Sequence, residues 1–130
     1  MAFRRTGHAC TKLGYEIIIA GGIDETGNTI DATEIVNVFT LEKRTVGALK
    51  IPRSYFGLAA FSTEGLNEII LAFGGYDSNK NSGNEFLSSV EQWNTENQTW
   101  QIIQDVSMDV RRSAFGFYEV SVDTLCGMCL

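Results

Sequence analysis

The sequence has one histidine, His8, and one proline, Pro52, in 130 residues. A single histidine cannot build a two-histidine metal site, and no nucleophile–base pair surrounds it. His8 therefore reads as a half-buried strand residue. The three cysteines, Cys10, Cys126 and Cys129, are an odd count that does not suggest a disulfide framework. Cys126 and Cys129 form a CxxC. A redox pair would need a thioredoxin-like βαβ setting and a zinc site a second ligand pair, and the sequence offers neither. No run approaches the roughly 18 apolar residues of a membrane span, and Met1 to His8 has no hydrophobic signal core, so a cytoplasmic location is expected. Basic residues are scarce too: 10 Lys and Arg against 16 Asp and Glu give a formal net charge of −6. That balance argues against nucleic acid or an anionic membrane as a partner. No Gly-rich loop leads from a strand into a helix, which removes the usual nucleotide cradle. No cofactor, metal or catalytic group is expected.

What is present is apolar and turn-rich. The apolar fraction of 44% and aromatic fraction of 11% fit a folded chain, and 13 glycines suit many tight turns. The chain is organised around residues 69–100. Ile69-Ile70-Leu71-Ala72-Phe73 is a short apolar run of strand type. It stops at Gly74-Gly75, where the backbone is free to take positive φ or pass close to a neighbour. A polar loop follows, then Val90 to Trp93, a polar turn, and Trp100. The same order occurs upstream: Ile17-Ile18-Ile19-Ala20, then Gly21-Gly22, a polar loop, Ile35 to Phe39, a turn, and Val46. The glycine pairs lie 53 residues apart, and Phe39 lies 54 residues before Trp93, as Val46 does before Trp100. A third element recurs, as Arg5-Thr6-Gly7, Arg53-Ser54-Tyr55 and Arg112-Ser113-Ala114, each introducing a strand-like run. A period of this size points to a solenoid or propeller.

These features resemble the kelch repeats, whose units have an Arg-led first strand, a second strand ending in Gly-Gly, and a third strand carrying a Tyr. A Trp follows about seven residues later. In this assignment Phe39 and Trp93 occupy the Tyr slot, and Val46 and Trp100 the Trp slot. The resemblance implies an all-β fold, a fragment of a kelch-type propeller of four-stranded antiparallel blades. Repeat 1 runs over about 5–49, repeat 2 over about 53–108, and an incomplete repeat 3 starts at 112. The expected strands are 7–13, 15–20, 35–39 and 45–49 in the first blade, and 54–61, 68–73, 88–93 and 99–103 in the second. Residues 113–122 and 125–130 would open a third. Gly21, Gly22, Phe39, Gly74, Gly75, Trp93 and Trp100 are its expected structural motif.

By the same resemblance the function is non-catalytic protein binding, as in the substrate-recognition part of ubiquitin-ligase adaptors or in cytoskeletal binding. A propeller-built enzyme such as a galactose-oxidase-like copper oxidase is the alternative, although its site needs more histidines than this chain has. A degenerate fragment without independent function is a third reading. The partner-binding candidates are Arg5, Arg53, Ser54, Tyr76, Asp77, Arg112 and Ser113, with Asp24 beside them. The arginines have two readings, bracing the turn that enters each blade or clamping a carboxylate of an acidic protein or peptide. Because the second strands lack alternation, both outer faces of the blade pair are expected to be apolar. Self-association or additional blades would then cover them.

Overall fold

The computed structural model describes residues 4–61 and 68–114. Its strands are β1 (Arg5–Thr6), β2 (Ala9–Leu13), β3 (Glu16–Ala20), β4 (Ile23–Asp24), β5 (Thr33–Asn37), β6 (Lys43–Val46), β7 (Gly57–Phe61), β8 (Ile69–Phe73), β9 (Ser89–Asn94) and β10 (Thr99–Ser107). The fold is all-β. Strands β2-β3-β5-β6 form one antiparallel four-stranded sheet and β7-β8-β9-β10 another, in chain order, while β1 pairs with β4. The expected third-blade strands lie outside the described residues except for Ser113 and Ala114, which belong to no strand. No helix among the described residues is long and apolar enough to cross a membrane.

The local sequence dictates the turns. Asn37 Oδ1 accepts from the backbone N–H groups of Phe39 and Thr40, and Asn94 Oδ1 accepts from those of Glu96 and Asn97. Each amide side chain thus replaces a strand partner where the chain reverses. Leu41 and Gln98, four residues after their asparagines, both have positive φ, 59° and 55°. These two hairpins are one structure built twice.

That equivalence corrects the repeat register. Asn37 and Asn94 are 57 residues apart, and so are Glu34 and Glu91, which face Ile19 and Ala72 of the second strands. In blade 2, Trp93 faces Ile70, and in blade 1 the residue facing Ile17 is Val36. Phe39 therefore does not hold the Trp93 slot: it sits in the turn, 74% exposed, its ring tilted against that of Tyr15 with centroids 5.4 Å apart. Val46 likewise does not hold the Trp100 slot. Trp100 pairs with Trp93, whereas the partner of Val36 is Lys43. The third strand of blade 1 accordingly runs from Thr33 to Asn37, not from 35 to 39.

Alternation along each strand sorts residues between two faces. The facing pair of sheets encloses one core, with Ile18, Ala20 and Ile35 from blade 1 and Leu58, Ile70, Ala72, Trp93 and Trp100 from blade 2. Trp100 closes it. Fully buried, it lies against Trp93 with ring centroids 5.3 Å apart, and its Nε1–H donates across the blade boundary to Thr33 Oγ1 at 3.1 Å. The two outer faces are unlike. On blade 2 the outer residues are Ala59, Phe61, Ile69, Leu71, Phe73 and Val90, with uncharged Gln92 and Gln101 beside them. On blade 1, Ile17, Ile19 and Val36 stand among exposed Cys10, Lys12, Lys43 and Thr45. The expectation of two apolar outer faces is thus corrected for blade 1, whose flanking strands carry lysines that the apolar run of β3 does not reveal.

Two outcomes follow. Trp100→Ala removes the largest core side chain and is expected to lower stability by ~3–5 kcal/mol, against about 1 kcal/mol for Trp100→Phe, which loses only the Thr33 bond and some packing; urea titrations of both compare them. Gly14 and Gly21 both have positive φ, 57° and 63°, but a Cβ on Gly14 meets nothing while one on Gly21 runs into the Arg53 carbonyl oxygen and the Phe56 ring. Gly21→Ala should therefore lower the melting temperature well beyond Gly14→Ala, and equal effects would rule out the close approach.

Candidate functional site

The connection that enters each blade and the loop that follows each Gly-Gly meet at one end of the blades. Ser54 and Tyr76 exchange backbone hydrogen bonds at 2.8 Å. The N–H of Gly22 donates to the carbonyl of Arg53 at 2.9 Å, and that of Gly75 to the carbonyl of Arg112 at 2.8 Å. The three Arg-led segments are therefore laid down in one register. Gly7, Tyr55 and Ala114, each two residues after its arginine, all have positive φ, 62°, 50° and 53°. They form a ladder in which Tyr55 N–H donates to Gly7 O and Ala114 N–H to Tyr55 O.

The guanidiniums of Arg5 and Arg53 point inward. Arg53 Nη2 bonds Glu91 Oε1 at 2.7 Å with both side chains fully buried. Its Nη1 donates to the carbonyls of Gly74 at 2.9 Å and Ser89 at 3.2 Å. Arg5 repeats this on Glu34 and on the carbonyls of Gly21 and Ala32. Burial lowers the Arg53 pKa, opposed by the charge of Glu91, the hydrogen bond to it, and the charge of Asp77. The guanidinium also lies 5.9 Å from the Phe56 ring centroid. Glu91 in turn accepts the backbone N–H groups of Lys50 and Ile51 at 2.7 and 3.0 Å, so one carboxylate fixes the linker between blades.

Five of the expected partner-contact residues make internal bonds instead. Arg5 and Arg53 are consumed by their own blades and brace the turn. Ser54 is fully buried, with its hydroxyl donating to Tyr76 O at 3.0 Å. Asp77 is 3% exposed and accepts the Asn79 N–H at 3.0 Å. Asp24 does the same for Thr26 and Asn28 in blade 1, and the Thr26 hydroxyl holds its pKa below the ordinary aspartate value. Both aspartates are turn formers. Tyr76 is half-buried and packs edge-on against exposed Phe86, 5.6 Å between centroids. Arg112 is exposed, with Nε donating to Val110 O at 3.4 Å, and Ser113 is half-buried.

Sequence reasoning missed three exposed groups at this end: Tyr55, Phe86 and Lys80. Between Thr26 and Asn28 blade 1 has one residue, Gly27, but between the corresponding Asn79 and Glu85 blade 2 has Lys80, Asn81, Ser82, Gly83 and Asn84. Counting from Asp24 and Asp77 would have found this insertion. The two loops are locked side by side: Ser78 N–H and Thr29 N–H each donate to the other's hydroxyl oxygen at 2.9 Å, and Asn79 Nδ2 donates to Thr29 O at 2.7 Å. Among the described residues no group of three or more His, Cys, Asp or Glu is placed to hold a metal ion.

The brace gives a direct test. Arg53→Met leaves Glu91 charged and buried, and should lower stability by ~3–5 kcal/mol. Adding Glu91→Leu should restore only part, because the N–H groups of Lys50 and Ile51 then lose their acceptor. Chemical denaturation of the single and double variants reads both. A single variant as stable as the wild type would show that Arg53 does not brace the blade.

Curated proteins give no match to the chain. Residues 52–107 match the family described as Kelch motif, a span that takes in Arg53, Gly74-Gly75, Trp93 and Trp100. That match lies over the four-stranded antiparallel blade β7-β8-β9-β10, so residues 52–107 form a kelch repeat.

Proposed function

We propose that the chain is a non-catalytic recognition module whose loop end binds a protein or peptide partner. Kelch repeats are in general protein-interaction modules. The observation that carries the reading is the division of labour at that end. Arg5, Arg53, Asp24 and Asp77 are spent on internal bonds, and the two post-glycine loops are tied to each other through Thr29, Ser78 and Asn79. A rigid platform is left, with Tyr55, Phe86 and Arg112 facing outward. Loops held by a scaffold are where binding residues concentrate, and aromatic and Arg side chains carry most interface energy. Substrate recognition for a ubiquitin-ligase adaptor and cytoskeletal binding both use such a platform. An additional blade, rather than a second copy meeting blade 1, suits the apolar outer face of blade 2.

Arg112→Glu and Tyr55→Ser test the platform. Both are expected to keep a cooperative unfolding transition while reducing partner capture, scored by quantitative mass spectrometry against the wild-type chain. Capture unchanged in both variants would remove the loop end as the binding surface.

A further inference from the structure

We infer that the cleft made by the blade 2 insertion is a docking site for an acidic peptide, specifically for a carboxylate side chain next to an apolar one. The inference rests on the recognition reading above and gives it a place and a chemistry. The cleft, about 250 Å³, lies between the inserted loop, the linker before Arg53 and the segment before Arg112. Lys80, Asn84, Phe86, Ser88, Ile51 and Arg111 line it.

Its charge is opposite to that of the molecule. The chain carries a formal charge of −6, yet this cleft has two cations and no carboxylate on its walls. Neither cation is in an ion pair among the described residues; the one bond of Arg111 is to Asn84 Oδ1 at 3.4 Å. Elsewhere Arg5 and Arg53 pair with buried glutamates and Arg44 with Glu16 at 2.5 Å, while Lys12 and Lys43 stand exposed on the outer face of blade 1. At the opposite, hairpin end, a cavity of about 290 Å³ is lined by Glu68 and Glu96 and would repel the same ligand.

The cleft is an acquisition of one repeat. Lys80 and Asn84 both belong to the insertion, and Phe86 replaces Thr29 at the corresponding position of blade 1. Insertions within a repeat collect on one face, often the binding face. The walls have two characters. The ammonium, guanidinium, Asn84 amide and Ser88 hydroxyl offer donors to a carboxylate. Phe86, 48% exposed and propped by Tyr76, together with Ile51, offers an apolar wall. The volume is below that of most cofactor pockets and suits one or two side chains. A nucleic-acid backbone, whose charges would extend well beyond the two cations, is disfavoured by the chain's net charge of −6.

The test uses the full 130-residue chain, isotope-labelled, and a pool of capped hexapeptides randomised over Asp, Glu, Phe and Leu. The control pool has Asn and Gln in place of the acids. Backbone amide shifts are expected at Lys80, Asn84, Phe86, Ser88 and Arg111 with the acidic pool and not with the control. Lys80→Glu/Arg111→Glu, two exposed positions, should keep the spectrum of a folded chain, weaken the acidic pool at least tenfold, and admit a pool randomised over Lys, Arg, Phe and Leu. Shifts centred on Tyr55 and Arg112 instead would overturn the cleft while leaving the recognition reading intact. Equal binding of the acidic and control pools at the cleft, or shifts with a short oligonucleotide but not with the peptides, would overturn the proposed chemistry. Absence of shifts with every pool would overturn the cleft, and the recognition reading would then stand or fall on partner capture alone.

Discussion

Each blade depends on one buried ion pair, Arg5 with Glu34 in the first and Arg53 with Glu91 in the second. The pair does more than neutralise two charges. The arginine reaches two carbonyls, one on the glycine pair and one at the entrance of the third strand, so the entry segment, the second strand and the third strand are fixed by a single side chain. A lysine could not make these bonds in divergent directions at once. A buried pair of this kind is weak evidence for net stability, since well-packed apolar groups often do as well. Its effect is on geometry, because the two terminal guanidinium nitrogens are tied to one fixed set of acceptors.

From that constraint the rest of the architecture follows. The entry carbonyl of one repeat accepts the second glycine's N–H of the repeat before it, so positioning Arg53 also positions blade 2 against blade 1. Glu91 then holds the linker, and Trp100 bonds Thr33 across the boundary. The glycine pair allows this close approach: a side chain at Gly75 would strike Phe56 and the Ser54 carbonyl, at 2.7 and 2.8 Å. Backbone freedom and the salt bridge act on the same few ångströms of chain.

The second strands, the glycine pairs and the shared arginine slot were legible in the sequence because they are contiguous and repeat without gaps. Gly7, Tyr55 and Ala114 share one slot and one positive φ, a conformation that favours only the glycine, so the sequence offers no reason to expect a tyrosine there. The third strand of blade 1 was misplaced because two aromatics, Phe39 and Trp93, stand seven residues before Val46 and Trp100 and invite alignment. A better signal was present: Glu34-x-x-Asn37 and Glu91-x-x-Asn94 share a spacing that joins the brace to the turn cap. The outward reading of Arg5 and Arg53 failed for a related reason. Whether an arginine faces solvent depends on where its carboxylate lies, and these carboxylates are 29 and 38 residues away in sequence.

The unlike outer faces of the two blades give the pair a direction. Where blade 2 presents Trp100 and Ala60 to its neighbour, blade 1 presents Lys43 and Lys12 to the outside. A sheet laid on the blade 2 side would remove apolar surface from water, whereas one laid on the blade 1 side would have to desolvate two ammonium groups or supply acids for them. Any stacking on this pair would therefore be vectorial: the blade 2 flank, apolar but for Gln92 and Gln101, presents no charge to desolvate, and the blade 1 flank would admit only a surface that carries matching carboxylates.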